Sequence, residues 1–271
     1  MGFFIFGTFI PYYGLCIVIG IVCAFLICFF LCKKNSLNTD DLIIICAYLV
    51  SFGFIGAKIL YIIVSIKSIN FKEVFSSMKA FNAFLSSGFV FYGGLIGGIF
   101  ALWLVKKVHK IDVIKYIPEL VPGLCIAHSC GRIGCSLAGC CHGKITTGRL
   151  YFRYSHSIAA PNNVNLFPVQ GIEAFLVFLI GLICFIIVLK KIKFNVLYLY
   201  IASYSVIRFI LEFFRGDKER GFFLVLSTSQ IISILGLLIV LVKCVSDVKH
   251  RRRRPWHEAV PRDKDERQRS V

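Results

Sequence analysis

The sequence predicts an all-α integral membrane protein, a bundle of about seven transmembrane helices with an extracytoplasmic loop region. Three observations lead there. Of its 271 residues, 58% are apolar or aromatic and 17% charged, against roughly 25% charged in ordinary soluble domains. Phenylalanine alone occurs 27 times, more apolar surface than a soluble chain of this length can hide. The apolar residues also fall into stretches close to the ~20 residues needed to cross a hydrocarbon core.

In order, those stretches are Tyr12–Leu31, Leu42–Val64, Gly88–Val105, Ile117–Leu137, Phe167–Leu189, Val196–Phe213 and Ser227–Val242. The longest linkers, Ser65–Ser87 and His142–Leu166, are polar and suit interfacial or extramembrane elements. Residues 1–248 are read as one polytopic membrane domain. Residues 249–271 are expected to form a basic, disordered cytoplasmic tail, because RRRRPWHEAVPRDKDERQRSV carries charge and proline without apolar periodicity. The first apolar stretch lacks the basic start and small-residue cleavage site of a signal peptide.

The formal net charge is +17, from 31 Lys and Arg against 14 Asp and Glu. Most of the excess sits in short loops or after Lys243, where the positive-inside rule and anionic headgroups account for it, so no nucleic-acid partner is expected. Lys33, Lys34, Lys106, Lys107, Lys110, Lys190, Lys191 and Lys193 fall on one side of the membrane. Lys67, Lys72, Lys79, Lys144, Arg149, Arg153, Lys218 and Arg220 fall on the other. The basic tail tips the balance: N-terminus outside, C-terminus cytoplasmic.

Twelve cysteines include no CxxC pair. Cys16, Cys23, Cys28, Cys46 and Cys184 lie in apolar stretches, where a thiol acts as a small hydrophobe. Cys125, Cys130, Cys135 and Cys140 recur at an interval that advances each by about 140° on a helix, so they are not expected to converge. Cys140, Cys141 and His142 could form part of a metal site, but the two adjacent thiols are expected to diverge. No metal or cofactor is anticipated.

Charges inside membrane segments are costly, ~2.5–3.5 kcal/mol on insertion scales, and need a partner or a purpose. They are Lys58, expected to meet a carboxylate or a headgroup; Arg132; Glu173, with the polar Gln170 beside it; and Arg208, Glu212 and Arg215. Arg208 and Glu212, four apart, share a helix face, as do Glu212 and Arg215, three apart. One reading is an ion-pair ladder. The other is a phosphate site, since three arginines against Glu173 and Glu212 leave a cationic surplus and guanidinium forks bind phosphate oxygens in pairs. Gly97, Gly98 and Gly139 read as helix-packing positions. Gly93 and Gly94, following Tyr92, either pack likewise or offer amides to an anion. His128, one turn before Arg132, reads as a satisfied helix histidine.

In order along the chain, PYYGL, GAKILY, FVFYGGLIGG, GRIGCSLAGCCHG, FPVQGIE, RFILEFFRG and LSTSQIISI resemble the motifs of the prolipoprotein diacylglyceryl transferase family. The resemblance covers nearly everything before the tail. It implies a multi-pass enzyme of the bacterial cytoplasmic membrane, with its active site toward the outer leaflet. Such an enzyme transfers the diacylglyceryl group of phosphatidylglycerol to the lipobox cysteine at a prolipoprotein signal peptide. It leaves a thioether, releases glycerol phosphate and uses no cofactor. On this resemblance Arg132 and Arg208 are catalytic, with Glu212 and Tyr92. Arg132, Tyr13, Gly143, Arg215, Gly93 and Gly94 bind substrate.

Three positions depart from the family pattern: Tyr92 stands for a histidine, Cys135 for an asparagine and Cys140 for a glutamate. Tyrosine, with pKa ~10, is a poor base near neutrality. What deprotonates the acceptor thiol is left open between the arginine field acting alone, the preferred reading, and His128 or His142 as the base. Two other readings remain: a relative using another lipid donor or acceptor, and a transporter or lipid-binding scaffold without chemistry. A transporter would show an internal repeat with broken helices, and a scaffold would tolerate loss of Arg132 or Arg208.

Overall fold

The computed structural model describes residues 2–5, 8–157, 159–217, 222–223 and 226–253. The strands β1 (Gly2–Ile5) and β2 (Thr8–Pro11) pair antiparallel and lead into α1 (Tyr12–Lys34). Next come α2 (Thr39–Ser65), the short α3 (Phe71–Val74) and α4 (Met78–Ser86), and α5 (Phe91–Val108). A 3₁₀ turn at Val113–Tyr116 opens α6 (Ile117–Ala138). Beyond it, β3 (Phe152–Arg153) pairs with β4 (Asn165–Leu166), followed by α7 (Val169–Leu189) and α8 (Val196–Glu212). The pair β5 (Phe222–Phe223) and β6 (Leu226–Ser227) precedes α9 (Thr228–Arg253).

Six of these helices, α1, α2, α5, α6 with its 3₁₀ turn, α7 and α9, are long and apolar enough to cross a membrane. Their outward faces carry Val18, Leu26, Ile63, Ile99, Phe175 and Leu238, as expected where the solvent is hydrocarbon. The seventh expected stretch is a helix too, but a shorter one. At 17 residues, α8 rises about 26 Å, less than the ~30 Å core. Its start is fixed by Asn195, whose Oδ1 accepts from the Leu197 and Tyr198 amides. Its end is fixed where the chain turns at Phe213 and Phe214 to meet another loop. The helix α9 continues to Arg253, so the expected tail begins helical; residues 254–271 lie outside the described ones.

Small residues let the helices pair closely, the means available where lipid is as apolar as the side chains. In the α2–α5 pair, a Cβ on Gly56 would lie 3.0 Å from the Gly97 Cα, and one on Gly93 would strike the Gly56 carbonyl. Between α1 and α6, Gly20 packs on Ala127 and Cys130, and Gly123 on Ala24 and Cys28. Gly181 seats α7 on Cys125, and Gly236 seats α9 on Ser205. The α2–α5 pair joins the rest through a core of Cys28, Cys32, Leu42, Ile45, Val105 and Tyr116. That core lies near Lys34 and Val108, the opposite ends of these helices from Tyr12 and Phe91.

Among the described residues Lys58 pairs with no carboxylate; it meets backbone carbonyls instead. Its ammonium donates to the Phe84 carbonyl and, at 2.7 Å, to the Ser87 carbonyl, with the Phe84 ring centroid 3.9 Å away. These are carbonyls at the end of α4, which have no partner in their own helix and carry its negative dipole. A helix terminus here takes the place of the expected carboxylate.

Candidate active site

Three helices bring buried charge together at one end of the bundle. At roughly 1.5 Å per residue, Arg132 lies about 9 Å before the end of α6. Glu173 lies about 6 Å into α7, and Arg208 about 6 Å before the end of α8. The Glu173 carboxylate is 1% exposed and holds both guanidiniums: Arg132 Nη2 is 3.0 Å from Oε1, and Arg208 Nη1 is 3.7 Å from Oε2. The Tyr204 hydroxyl donates to the same Oε1 at 3.0 Å, and His128 Nε2 stands 3.9 Å from it. The other ring nitrogen of His128 lies 3.0 Å from the Tyr200 hydroxyl.

Arg208 is anchored along its own helix and from α9. Its Nη2 lies 2.8 Å from Glu212 Oε2 and donates to Ser229 Oγ at 3.0 Å. Its Nη1, buried, makes no hydrogen bond among the described residues. This donor sits on the longer leg of the Glu173 bridge, so it is the point at which an added anion gains most.

Arg215 stands just past α8 and forks onto Asp217, with Nε to Oδ1 at 3.2 Å and Nη2 to Oδ2 at 2.8 Å. Among the described residues, three arginines thus meet three acids, Glu173, Glu212 and Asp217. Gly143 lies beside Arg215 in a β-bridge. Around it, the Lys144 amide donates to the Phe214 carbonyl, and the Gly216 amide to the His142 carbonyl. A Cβ on Gly143 would strike the Phe167 carbonyl, so this glycine lets the loop after α6 press on the entrance to α7. In that loop, Tyr154 donates its hydroxyl to the Ser136 carbonyl at 2.8 Å, and burial raises its phenol above the usual range.

Tyr13, in the first turn of α1, packs on Gly134 and is within electrostatic reach of Arg132. The remaining expected residues stand apart. Gly93 and Gly94 both donate their amides to the Val90 carbonyl and pack against Gly56 and Gly53, which is the packing alternative of the two considered. Tyr92 meets Phe91 ring to ring, and Phe91 reaches the His128 ring at 6.4 Å. Tyr92 thus borders the charged cluster through its neighbour.

The cysteine spacing misled. Cys135, Cys140 and Cys141 bring their sulfurs within 4.8 Å of one another. The 140° interval assumes a helix running through Cys140, but α6 ends at Ala138. Gly139 takes the left-handed conformation, φ +76°, Cys141 does so at φ +57°, and the chain folds back on Cys135. Gly139 is therefore a helix stop, and its close packing is against Ser157 of the following loop rather than against another helix. The close approach of the Cys135 and Cys140 sulfurs, and further Arg215 and Arg132, hold the Cys141 thiol below the usual range against the opposing effect of its burial.

A cleft of about 640 Å³ opens between α6 and α7, lined by Ser129, Ile133, Leu137, Phe152, Phe175 and Phe178 among others, and by none of Arg132, Glu173 and Arg208. It is apolar along α6 and α7, and Ser129 at its edge donates to the Ala174 carbonyl, one residue from Glu173.

The family model described as prolipoprotein diacylglyceryl transferase matches residues 2–246. A Clostridium tetani protein named phosphatidylglycerol–prolipoprotein diacylglyceryl transferase is 37% identical over 239 residues, 88% of this chain and 93% of the relative. The chain belongs to the prolipoprotein diacylglyceryl transferase family. A Clostridium perfringens protein of the same name, numbered 2, is 37% identical over 86% of this chain and 90% of its own length. A Clostridioides difficile protein, also so named, is 28% identical over 88% and 91%.

Within this family member, Tyr204, Tyr200, Ser229 and Asp217 belong to the cluster and were missing from the expected site, while Glu173 was expected only as an acid near the arginines. One signal was available. Tyr200, Tyr204, Arg208 and Glu212 stand four apart and share one face of α8. Glu173 was noticed as an acid in an apolar segment, but nothing in the sequence said which arginines it would join.

Proposed function

We propose that this chain transfers the diacylglyceryl group of phosphatidylglycerol to the lipobox cysteine of a prolipoprotein, at the outer leaflet of a bacterial cytoplasmic membrane. One observation carries the reading beyond family membership: Arg132 and Arg208, from different helices, converge on a single buried carboxylate, one residue along α7 from Ala174 in the wall of an apolar cleft. The phosphodiester is taken by the two guanidiniums, with Arg208 Nη1 supplying the donor that lacks a hydrogen bond. The acyl chains lie along the cleft.

In the reaction, the acceptor thiolate forms a bond to the glyceryl carbon. The C–O bond to phosphate breaks, and its electron pair leaves on glycerol phosphate. The thiol proton passes to the departing phosphate or to water. Charge grows on the leaving oxygen, where Arg132 and Arg208 are aimed; donors preorganised in this way are typically worth ~2.7–4 kcal/mol of barrier. A free thiol, pKa ~8.5, is drawn toward thiolate by the same cations. Glu212 and Glu173 keep the guanidiniums in position. Tyr13 and Gly143 shape the approach, and Tyr92 borders it.

The orientation is N-terminus outside. Lys33, Lys34, Lys106, Lys107, Lys190 and Lys191 gather at the bundle end opposite the Glu173 cluster, as cytoplasmic loops should. The reading is tested by expressing the chain in bacteria depleted of their own transferase and following lipoprotein mass. Diacylglyceryl addition by wild type, lost in Arg132→Ala and Arg208→Ala, is expected. A well-inserted wild type that adds nothing overturns it.

A further inference from the structure

We propose that Cys135, Cys140 and Cys141 form a thiolate site for one soft d10 cation, zinc the first choice, beside the arginine cluster. Their sulfurs lie within 4.8 Å of one another. Zinc holds thiolates at about 2.3 Å, which sets sulfurs about 3.8 Å apart in a tetrahedron, so closing the site takes a movement of no more than about 1 Å. All three side chains are half-buried, sheltered yet open to an ion.

The convergence is built into the backbone. Cys141 carries a Cβ at φ +57°, a conformation that side chains disfavour, and that turn swings its sulfur toward Cys135. The loop is pinned on two sides: Gln170 of α7 donates to the Cys140 carbonyl at 2.9 Å, and the Gly216 amide donates to the His142 carbonyl at 2.9 Å. The thiols are therefore presented by a fixed frame.

The donor set selects the metal. Three sulfurs with no carboxylate among them favour zinc or monovalent copper over magnesium or calcium. Three thiolates around a divalent ion leave one net negative charge, and Arg132 and Arg215, each already paired with an acid, lie within electrostatic reach of Cys141. No fourth His, Cys, Asp or Glu joins the group among the described residues, so the fourth position of a tetrahedral ion is left to water. This site is separate from the Glu173 bridge and does not depend on the transfer reaction.

The test uses the full chain purified in detergent, reduced and stripped with chelator. Zinc alone is added, loosely held ion is washed out, and bound zinc is measured by mass spectrometry. Cobalt(II) serves as the spectroscopic probe. One zinc per chain, thiolate-to-cobalt charge transfer and tetrahedral visible bands are expected. Cys140→Ser lowers affinity at least about tenfold, while Cys244→Ser, at an exposed cysteine elsewhere, leaves it unchanged. Alkylation mapping needs no variant: zinc protects Cys135, Cys140 and Cys141 and no other cysteine. Absence of retained zinc, stoichiometry indifferent to Cys140→Ser, or protection at other cysteines overturns the proposal.

Discussion

Replacing Glu173 by glutamine keeps the side chain's shape and removes its charge, which makes it the sharpest probe of the cluster. Arg132 then has no carboxylate within 4.0 Å among the described residues, since Glu173 Oε1, at 3.0 Å, is its one such partner. Arg208 retains Glu212 at 2.8 Å. Breaking one partner of a buried pair costs ~3–5 kcal/mol. The lower end applies, because the Arg132 side chain is 16% exposed and the amide oxygen still accepts a hydrogen bond. If that loss falls on the transition state, kcat/KM drops by about 3 kcal/mol, or roughly 150-fold. The assay is transfer to a lipobox peptide in phosphatidylglycerol vesicles, read by mass, beside thermal unfolding of the same preparation. Glu173→Gln with wild-type folding and kcat/KM within about threefold of wild type would refute the reasoning.

Arg208→Lys replaces a fork reaching Glu173, Glu212 and Ser229 with a point charge; transfer should fall at least tenfold (~1.4 kcal/mol) by the same peptide assay. Gly93→Ala should lower the unfolding temperature, since its Cβ meets the Gly56 backbone and such overpacking costs ~1–3 kcal/mol. Gly98→Ala, whose nearest neighbour is the Leu49 Cδ2 at 3.7 Å, should not. Tyr92→Phe should slow transfer if the hydroxyl takes part; unchanged kcat and KM would remove Tyr92 from the site. Gly143→Ala should drive the loop off the Phe167 carbonyl and reduce activity, with α-helical circular dichroism unchanged.

Helix positions were legible because long apolar runs allow little else in lipid. Arg132, Arg208 and Glu212 were legible because charge in such a run demands a reason. What stayed hidden was contact across helices. The spacing of Arg208 and Glu212 is local and can be read from one helix face. The bridge through Glu173 depends on how α6, α7 and α8 pack, and Asp217 was overlooked because it lies beyond a helix end. The cysteines failed for a related reason: periodicity holds only while the helix continues, and the decisive fact was its end at Ala138.

The balance of three arginines by three acids bears on how an anion enters. A surplus of positive charge would hold a phosphate by simple attraction, but it would also be costly in a membrane before the lipid arrived. The paired cluster avoids that cost and replaces it with a competition, since phosphate must displace a carboxylate contact. The contacts are unequal: Arg132 holds Glu173 at 3.0 Å, while Arg208 holds it at 3.7 Å. The longer leg is the cheaper one to give up, and it carries the Arg208 Nη1 that lacks a hydrogen bond. On the proposed reading, phosphate therefore inserts between Arg208 and Glu173 while Arg132 keeps its partner. Glu173 then does more than neutralise charge: it holds Arg132 in place through the exchange.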